Sequence, residues 1–332
     1  MEQRRLGANG PEISAIGYGA MSFSDIYGAT NEAQSHAILD ACRDFGVSHL
    51  DTANIYGMGK SENAIGTYLK ANPGARNEFI IATKATITKD AEGNRAFDNS
   101  AEHLEAELDK SLQRLGLECV DLFYAHRRDT RFTPEETAAN LARLVEKGKT
   151  RAIGLSEISP STLRRAMTVH PVAAVQSEYS LSTRAPELGL VQACAELGVA
   201  MVAFSPVGRS LLTDHPIPAA RIREIPFLSG NPRFMEPNLS ENLRIMHGFR
   251  KLASDMGTTA AGLANAWLLA RGPHVIPIPG TRSVDHLREC LSGASLKLTE
   301  TDLQRIESAL PVGWAHGDRY SEQQWIGPER YC

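Results

Sequence analysis

Four residues in this chain have side chains that together could reduce a carbonyl group: Asp51, Tyr56, Lys84 and His126. A tyrosine phenol titrates at about pH 10, so on its own it is a poor acid at neutral pH. A neighbouring lysine cation lowers the pKa of a phenol, and a buried aspartate keeps that lysine charged. A histidine nearby can orient a carbonyl oxygen or assist proton transfer. Together these four side chains predict that the phenol donates a proton to a carbonyl oxygen as that oxygen becomes an alkoxide.

Proton donation is only half of a carbonyl reduction. The other half needs a hydride, which no side chain can supply, so the same four residues imply a nicotinamide cofactor. Each of the four lies at the end of a short apolar stretch or in the loop after it. These stretches are residues 47–51 before Asp51 and Tyr56, 79–84 ending in Lys84, and 119–125 before His126.

Eight such apolar stretches alternate with helical patterns along the chain. The predicted strands are residues 16–21, 47–51, 79–84, 119–125, 150–155, 172–176, 199–204 and 275–278. The body has no Asn-Gly or Asp-Gly hairpin signal, and this alternation favours parallel strands joined by crossover helices. Eight units in about 290 residues predict a (β/α)8 TIM barrel. A doubly wound sheet is the competitor, but residues 17–22 lack its G-x-G-x-x-G turn because position 22 is serine.

The chain is predicted to form a single domain over residues 1–332. We expect a short N-terminal β-hairpin in residues 1–14, a long loop at about 206–240 and a loop-like tail at 311–332. Residues 85–99 are also expected to be loop, and residues 187–197 are expected to form a helix. In a barrel of this type, active residues come from the carboxyl ends of different strands. The predicted strand ends supply Asp51, Lys84, His126, Ser156, Gln176 and Ser205.

Composition narrows the choice of partners. The net charge is −4, which does not suggest nucleic acid or an anionic membrane as a partner. The five cysteines are dispersed without a CxxC pair, which predicts reduced thiols, a cytoplasmic location and no metal site. The first residues show no signal peptide, and no apolar stretch has the length of a membrane helix. A small-molecule carbonyl or alcohol is the expected partner.

Several short motifs occur in an order that resembles the aldo-keto reductases, over about residues 3–310. The spacing of Asp51, Tyr56, Lys84 and His126 is similar to the catalytic tetrad of that family. The other matching pieces are Gly19-Ala20-Met21, Asp51-Thr52-Ala53, Gly154-Leu155-Ser156-Glu157, Val175-Gln176-Ser177-Glu178-Tyr179, Phe204-Ser205-Pro206-Val207-Gly208-Arg209 and Ile278-Pro279-Gly280-Thr281-Arg282. The forms around His126 and Ser156 resemble the bacterial and plant branch that includes perakine reductase and auxin-induced-protein-like reductases.

The resemblance implies NADPH-dependent, reversible reduction of an aldehyde or ketone, with Tyr56 as the general acid and Lys84, Asp51 and His126 assisting. It implies that Ser156 and Gln176 hold the nicotinamide carboxamide, that Phe204 stacks on the ring, and that residues 205–210 line the pyrophosphate. The full implied set of cofactor-binding residues is Gly19, Ala20, Met21, Asp51, Ser156, Gln176, Phe204, Ser205, Pro206, Val207, Gly208, Arg209, Ser210, Ile278, Gly280, Thr281, Arg282, His286, Glu289 and Cys290.

The chain departs from the family pattern at several of these positions. His286 stands where an arginine commonly clamps the adenosine 2′-phosphate, and Cys290 stands where asparagine commonly follows Glu289. Arg282 can still pair with that phosphate because a guanidinium suits bidentate contact. The resemblance therefore implies NADPH over NADH, with a weaker preference than in the family generally. Ser210 replaces a common glycine, and Glu157 a common asparagine.

Residues in the loops and tail are candidates for the substrate pocket: Phe23, Tyr27, Arg127, Arg128, Trp314 and Trp325. No motif in them names a natural substrate, a physiological direction or an oligomeric state. Two alternatives stay open. Voltage-gated potassium-channel β subunits of the same family keep the tetrad, so a cofactor-bound sensor or regulatory subunit is one. A (β/α)8 aldolase or isomerase with a Schiff base at Lys84 is the other.

Overall fold

Short strands and amphipathic helices alternate through the computed structural model, which describes residues 1–330 and 332. The strands are β1 (Gln3–Arg5), β2 (Glu12–Ser14), β3 (Tyr18–Gly19), β4 (His49–Asp51), β5 (Ile80–Ala85), β6 (Ile87–Lys89), β7 (Arg95–Phe97), β8 (Leu122–Ala125), β9 (Ile153–Ser156), β10 (Val172–Glu178), β11 (Ala200–Phe204) and β12 (Val275–Pro277). β1 pairs with β2 and β6 with β7 as antiparallel hairpins. The other eight form one parallel sheet in chain order from β3 to β12.

Helices cover the outside of this sheet. They are α1 (Glu32–Asp44), α2 (Lys60–Ala71), α3 (Ala101–Leu115), α4 (Pro134–Glu146), α5 (Pro160–Met167), α6 (Leu190–Leu197), α7 (Ala219–Arg223), α8 (Pro226–Ser229), α9 (Asn238–Asp255), α10 (Ala260–Leu269), α11 (Val284–Ser292) and α12 (Glu300–Ala309). In the described part of the chain, none of these helices is long and apolar enough to cross a membrane.

Local sequence signals set the helix ends. Asn31 and Thr133 each form a capping box at the start of α1 and α4, and Pro134 takes the first helical position of α4. Gly116 ends α3 in the left-handed conformation, with φ of 67°. Leu104, Leu108, Leu112 and Leu115 of α3 are all buried, as their helical spacing predicts.

The first and last strands of the sheet meet and close the barrel. The Gly17 and Gly19 backbone N–H groups donate to the Pro277 and Pro279 carbonyls at 2.9 and 3.0 Å. The backbones approach so closely that a Cβ on Gly280 would lie 2.3 Å from the Gly19 carbonyl oxygen. Glycine is therefore required on this seam. The predicted barrel with its N-terminal hairpin is confirmed.

The structure corrects four predicted elements. The hairpin β6–β7 lies where residues 85–99 were expected to be loop, and the Asp90 side chain holds its turn by accepting from the Asn94 backbone N–H at 2.7 Å. The first barrel strand is only two residues long, because Ala20 begins a 3₁₀ turn. The helix expected over 187–197 is divided at Gly189, whose φ is 130°. The loop 206–240 contains the short helices α7 and α8.

Candidate active site

Lys84 and Asp51 form a buried ion pair at the carboxyl ends of the adjacent strands β5 and β4. The Lys84 ammonium donates to Asp51 Oδ1 at 2.5 Å and to the Thr52 carbonyl at 2.7 Å. Gln176, from β10 across the barrel, donates to Asp51 Oδ2 at 2.8 Å. Lys84 and Asp51 are 0% and 1% exposed, so water does not screen this pair. The strand ends predicted to meet do meet here.

Burial lowers the pKa of Lys84 from its ordinary value of 10.5, and the negative charge of Asp51 opposes that shift. A buried ammonium needs a partner of opposite charge to remain protonated. Asp51 supplies that charge, and the Thr52 carbonyl accepts a second hydrogen bond from the same ammonium group. The charged Lys84 ammonium is thereby held beside the rings of Tyr56 and Tyr124.

Tyr56 lies next to this cation. Its ring centroid is 5.3 Å from Lys84 Nζ and 6.0 Å from the His126 ring, which it meets edge-on at 84°. Burial raises the pKa of Tyr56 above its ordinary value of 10.0, the Asp51 charge adds to the rise, and Arg127 opposes it. The expected lowering of this pKa by Lys84 is not found, because burial and the Asp51 charge raise it. The phenol stays protonated, which is the form that a proton donor needs.

His126 is neutral in this setting. Burial lowers the pKa of His126 well below 6.5, and the cations of Arg127, Lys84 and Arg95 lower it further. Its Nδ1 is buried and makes no hydrogen bond with any described residue. A neutral imidazole has one donor and one acceptor nitrogen, so His126 can orient a carbonyl oxygen but is a poor source of protons.

A cleft of about 650 Å³ opens beside Tyr56. Most residues predicted to bind the cofactor line it. They are Gly19, Met21, Asp51, Gln176, Phe204, Ser205, Pro206, Val207, Arg209, Ser210, Ile278, Gly280, Thr281, Arg282, His286, Glu289 and Cys290. Ala20, Ser156 and Gly208 do not line it and are buried, with Ser156 accepting from Arg127 Nη1 at 3.2 Å. The cleft runs from the tetrad to the start of α11.

The loop after β11 has an unusual backbone. Ser205, Arg209 and Ser210 all have positive φ, at 51°, 54° and 81°. Non-glycine residues seldom adopt this conformation, which costs about 1 kcal/mol or more each. Arg209 is fixed by an ion pair with buried Glu178 at 2.7 Å, and Ser210 Oγ accepts from the Ile217 backbone N–H at 2.9 Å. The strained loop is thus held in place at the edge of the cleft.

Arg282 makes contacts that the sequence did not indicate. Its guanidinium donates to the backbone carbonyls of Gly28, Ala29 and Tyr27 at 2.7, 2.9 and 3.0 Å. Arg282 therefore anchors the loop before α1 to the start of α11. Its position at the far end of the cleft agrees with a phosphate contact, but part of its donor capacity is already used.

Two histidines stack beside Arg282. The rings of His215 and His286 are 5.8 Å apart and inclined by 19°, and His215 Nε2 lies 4.0 Å from the Glu289 carboxylate. Both histidines line the cleft. His215 was not predicted to belong to the site, because the irregular sequence around it carries no motif.

The candidate substrate-pocket residues take different positions. Tyr27 lines the cleft, whereas Phe23 is 1% exposed and packs on Tyr18 with ring centroids 5.2 Å apart. Trp314 is buried in the core and donates to the Leu181 carbonyl at 2.8 Å. The remaining three are Arg127, Arg128 and Trp325. Arg127 is buried beside His126, Arg128 pairs with Glu329 at 2.7 Å, and Trp325 donates to Asp318 at 2.9 Å.

Sequence reasoning missed an ionic network beneath the tail. Glu157, directly after β9, accepts hydrogen bonds from Nη1 and Nη2 of Arg319 at 3.0 and 2.7 Å. Arg319 also donates to Cys332 Sγ at 3.2 Å. Glu157 was noted only as a departure from the family pattern, and Arg319 carried no signal. Within the described residues, no cluster of three or more His, Cys, Asp or Glu side chains could hold a metal ion.

Comparison with known proteins decides the family. The sequence profile described as the Aldo/keto reductase family matches residues 15–311. The chain belongs to this family. The family match shows that the chain is an oxidoreductase of the kind that reduces carbonyl compounds.

Two curated relatives in this family match nearly the whole chain. The aldo-keto reductase yakc of Schizosaccharomyces pombe, whose name carries NADP(+), is 37% identical over 312 residues, or 93% of this chain and 92% of that protein. The probable aldo-keto reductase 1 of Glycine max is 37% identical over 320 residues, or 95% and 91%. The specific bacterial and plant branch stays a prediction.

A solved structure supports the fold. The glycerol dehydrogenase from Gluconobacter oxydans superimposes with a TM-score of 0.80 and 27% sequence identity, covering 93% of this chain and 94% of that one. The likeness extends over the barrel and agrees with family membership.

Proposed function

We propose that this reductase catalyses reversible, NADPH-dependent reduction of an aldehyde or ketone, with Tyr56 as the general acid. The observation that carries the proposal is the buried Lys84–Asp51 pair beside a protonated Tyr56, at the end of a long cleft. The name of the yeast relative, which includes NADP(+), agrees with this cofactor. We also propose that the chain forms one domain, as its sequence predicts.

The residues of the cleft fit a nicotinamide dinucleotide. Phe204 is half-buried and lines the cleft next to the tetrad, where a flat ring can stack on it. Backbone N–H groups and hydroxyls of residues 205–210 suit a pyrophosphate, and Arg282 with His286 suits a phosphate at the far end. Gln176 is fixed by its contact with Asp51, which leaves its carbonyl oxygen as an acceptor for a carboxamide.

The nicotinamide, when bound, supplies the hydride. The chain's own residues do the rest. Tyr56 donates the phenolic proton to the carbonyl oxygen as negative charge develops there. Lys84 favours the phenolate that remains, because its ammonium lies 5.3 Å from the centroid of the Tyr56 ring. His126, neutral, orients the carbonyl oxygen. In the reverse direction Tyr56 takes back the proton from the alcohol.

The Schiff-base alternative fits the geometry less well. Lys84 is completely buried, and its ammonium already donates to Asp51 and Thr52. A lysine that attacks a carbonyl carbon must be neutral and must reach that carbon. A borohydride-trapped adduct at Lys84 would favour the aldolase alternative instead.

The first test is a turnover assay. Purified protein is mixed with NADPH or NADH and a panel of aldehydes, ketones and sugars, and absorbance at the nicotinamide band is followed. We expect oxidation of NADPH with at least one class of carbonyl compound. Tight NADPH binding without turnover on any of them would contradict the enzyme proposal and favour the sensor or regulatory role.

A further inference from the structure

We propose that Arg127 binds a carboxylate on the substrate, so that the enzyme reduces carbonyl compounds that carry a carboxylate group. The inference rests on the proposed function and narrows its substrate class. It comes from an imbalance of charge around His126 that neither the tetrad nor the cofactor cleft explains.

The backbone of Arg127 is rigidly held. It follows His126 directly after β8. Its N–H donates to Thr86 Oγ1 at 2.9 Å, and its carbonyl accepts from Thr86 Oγ1 and Asn99 Nδ2, both at 3.1 Å. The side chain is 7% exposed. Because its backbone is fixed and its side chain is buried, Arg127 holds its guanidinium in one position beside the proposed catalytic residues.

The guanidinium of Arg127 has few partners. Its Nη1 donates to the His126 carbonyl at 2.7 Å and to Ser156 Oγ at 3.2 Å. Its Nε is buried and makes no hydrogen bond with the described residues. No carboxylate of the described chain lies within 4.0 Å of it, since every ion pair of that length involves other cations. Neutral oxygens alone compensate a buried charge poorly.

Other buried arginines near the tetrad are paired differently. Arg209 and Arg233 lie 2.7 and 3.6 Å from Glu178, and Arg319 is 2.7 Å from Glu157. Arg127 alone of these four lacks an acid. The contrast shows that the fold does provide carboxylates for buried guanidinium groups here, and that it provides none for Arg127.

The two buried acids of this site, Glu157 and Asp51, already have partners. Both carboxylate oxygens of Glu157 accept from Arg319, and Oε1 also accepts from the Glu178 backbone N–H. Asp51 accepts from Lys84 and Gln176. The Arg127 charge helps to lower the pKa of Glu157, but with these oxygens occupied, a carboxylate in direct contact with Arg127 would have to come from outside the chain.

The proposed cofactor does not provide that charge. Its phosphates would lie along residues 205–210 and at Arg282, whereas Arg127 does not line this cleft. The charge of Arg127 acts on both reacting neighbours, because it opposes the rise in the pKa of Tyr56 and helps to lower the pKa of His126. A substrate whose carbonyl lies against Tyr56 and His126 would bring its carboxylate next to Arg127.

A matched pair of aldehydes tests the inference. The probes are 4-carboxybenzaldehyde and its methyl ester, which present the same reacting carbonyl and differ in charge. We expect the wild-type enzyme to have the higher kcat/KM with the acid. In Arg127→Met, the ratio of the two kcat/KM values should fall by about tenfold or more, mostly through KM of the acid, because a charge-assisted hydrogen bond is lost. Any change in the acidity of Tyr56 affects both aldehydes and cancels in the ratio.

Arg131→Met is the matched control. It removes a cation from the same loop, but Arg131 is exposed and pairs with Asp129. Its ratio should stay within about twofold of wild type. An equal loss of kcat/KM for both aldehydes in Arg127→Met would overturn the inference and leave the proposed function standing. A fall of the acid-to-ester ratio in Arg131→Met as large as that in Arg127→Met would do the same. Failure of the wild type to reduce the acid while it reduces uncharged carbonyl compounds of the turnover panel would overturn the inference alone, and failure on the whole panel would overturn both.

A binding measurement covers the case in which Arg127→Met folds poorly. Titration of the NADPH-bound protein with benzoate and with benzamide should show tighter binding of benzoate by the wild type. Arg127→Lys, which keeps the charge but not the planar fork, should retain part of this preference, and Arg127→Gln should lose it. Equal binding of the two ligands by the wild type would overturn the inference.

Discussion

Arg319 and Glu157 join the C-terminal tail to the end of β9 through two hydrogen bonds of 3.0 and 2.7 Å, and both side chains are at most 2% exposed. The pair is 162 residues apart in the sequence. Burial would raise the pKa of Glu157, but the Arg319 charge and others outweigh it and the pKa is lowered. The tail is therefore fixed directly beside Ser156 and the tetrad.

Removing one member of this pair should destabilise the protein. In Arg319→Met the Glu157 carboxylate is left buried without its main partner, and we expect a loss of about 3–5 kcal/mol in the free energy of unfolding. Urea unfolding followed by circular dichroism measures it. The double variant Glu157→Gln with Arg319→Met should recover part of the loss. A double variant less stable than Arg319→Met alone would contradict this account.

Tyr56→Phe should separate binding from chemistry. The ring and its contacts with Lys84 and His126 remain, so the Kd for NADPH should change little. Loss of the proton donor should lower kcat by about 100-fold or more, a typical contribution of general acid catalysis. Fluorescence titration with NADPH and steady-state rates measure the two effects. Undiminished turnover in this variant would remove Tyr56 from the role of general acid.

Arg282 and His286 should govern the choice of cofactor. Arg282→Ala should raise KM for NADPH far more than KM for NADH, because only NADPH has a 2′-phosphate. His286→Arg, which adds a permanent cation at the same end of the cleft, should lower KM for NADPH and leave that for NADH unchanged. Steady-state kinetics with both cofactors tests both. Equal increases for the two cofactors in Arg282→Ala would show that this arginine serves only the carbonyls of residues 27–29.

The pH profile of reduction should reflect Lys84 on the alkaline side. The pKa of Tyr56 is raised above 10.0 while that of Lys84 is lowered from 10.5, so the ammonium is the first of the two to lose its proton as the pH rises. Loss of that cation weakens Tyr56 as an acid, and kcat/KM should fall. The pKa of His126 lies well below 6.5, so no change is expected from it at neutral pH.

Lys84→Arg tests this assignment, because a guanidinium stays charged up to about pH 12. The alkaline fall should move to higher pH in this variant, with thermal unfolding as the check that it is folded. A fall at the wild-type position would assign it to another group. A profile that changes near neutral pH in the wild type would contradict the neutral state of His126.

The sequence predicts the barrel and the meeting of the tetrad because both depend on local patterns. Apolar runs that end in Asp51, Lys84 and Gln176 fix the strand ends, and parallel strands bring those ends to one face. The pKa of Tyr56 depends on burial by the finished fold, which local patterns do not show. The Glu157–Arg319 pair and the carbonyl contacts of Arg282 join distant segments, and no spacing rule connects them.

The seam that closes the barrel has a consequence for how a ligand acts on the whole molecule. The Tyr18 hydroxyl donates to the Thr281 carbonyl at 2.6 Å across a sequence separation of 263 residues. Gly19 and Met21 line the cleft on one side of this seam, and Gly280 and Thr281 line it on the other. Contacts so distant in the chain are costly in entropy and form late in folding. A cofactor held by both sides would tie the two ends of the polypeptide together, and its binding would add to the free energy of unfolding.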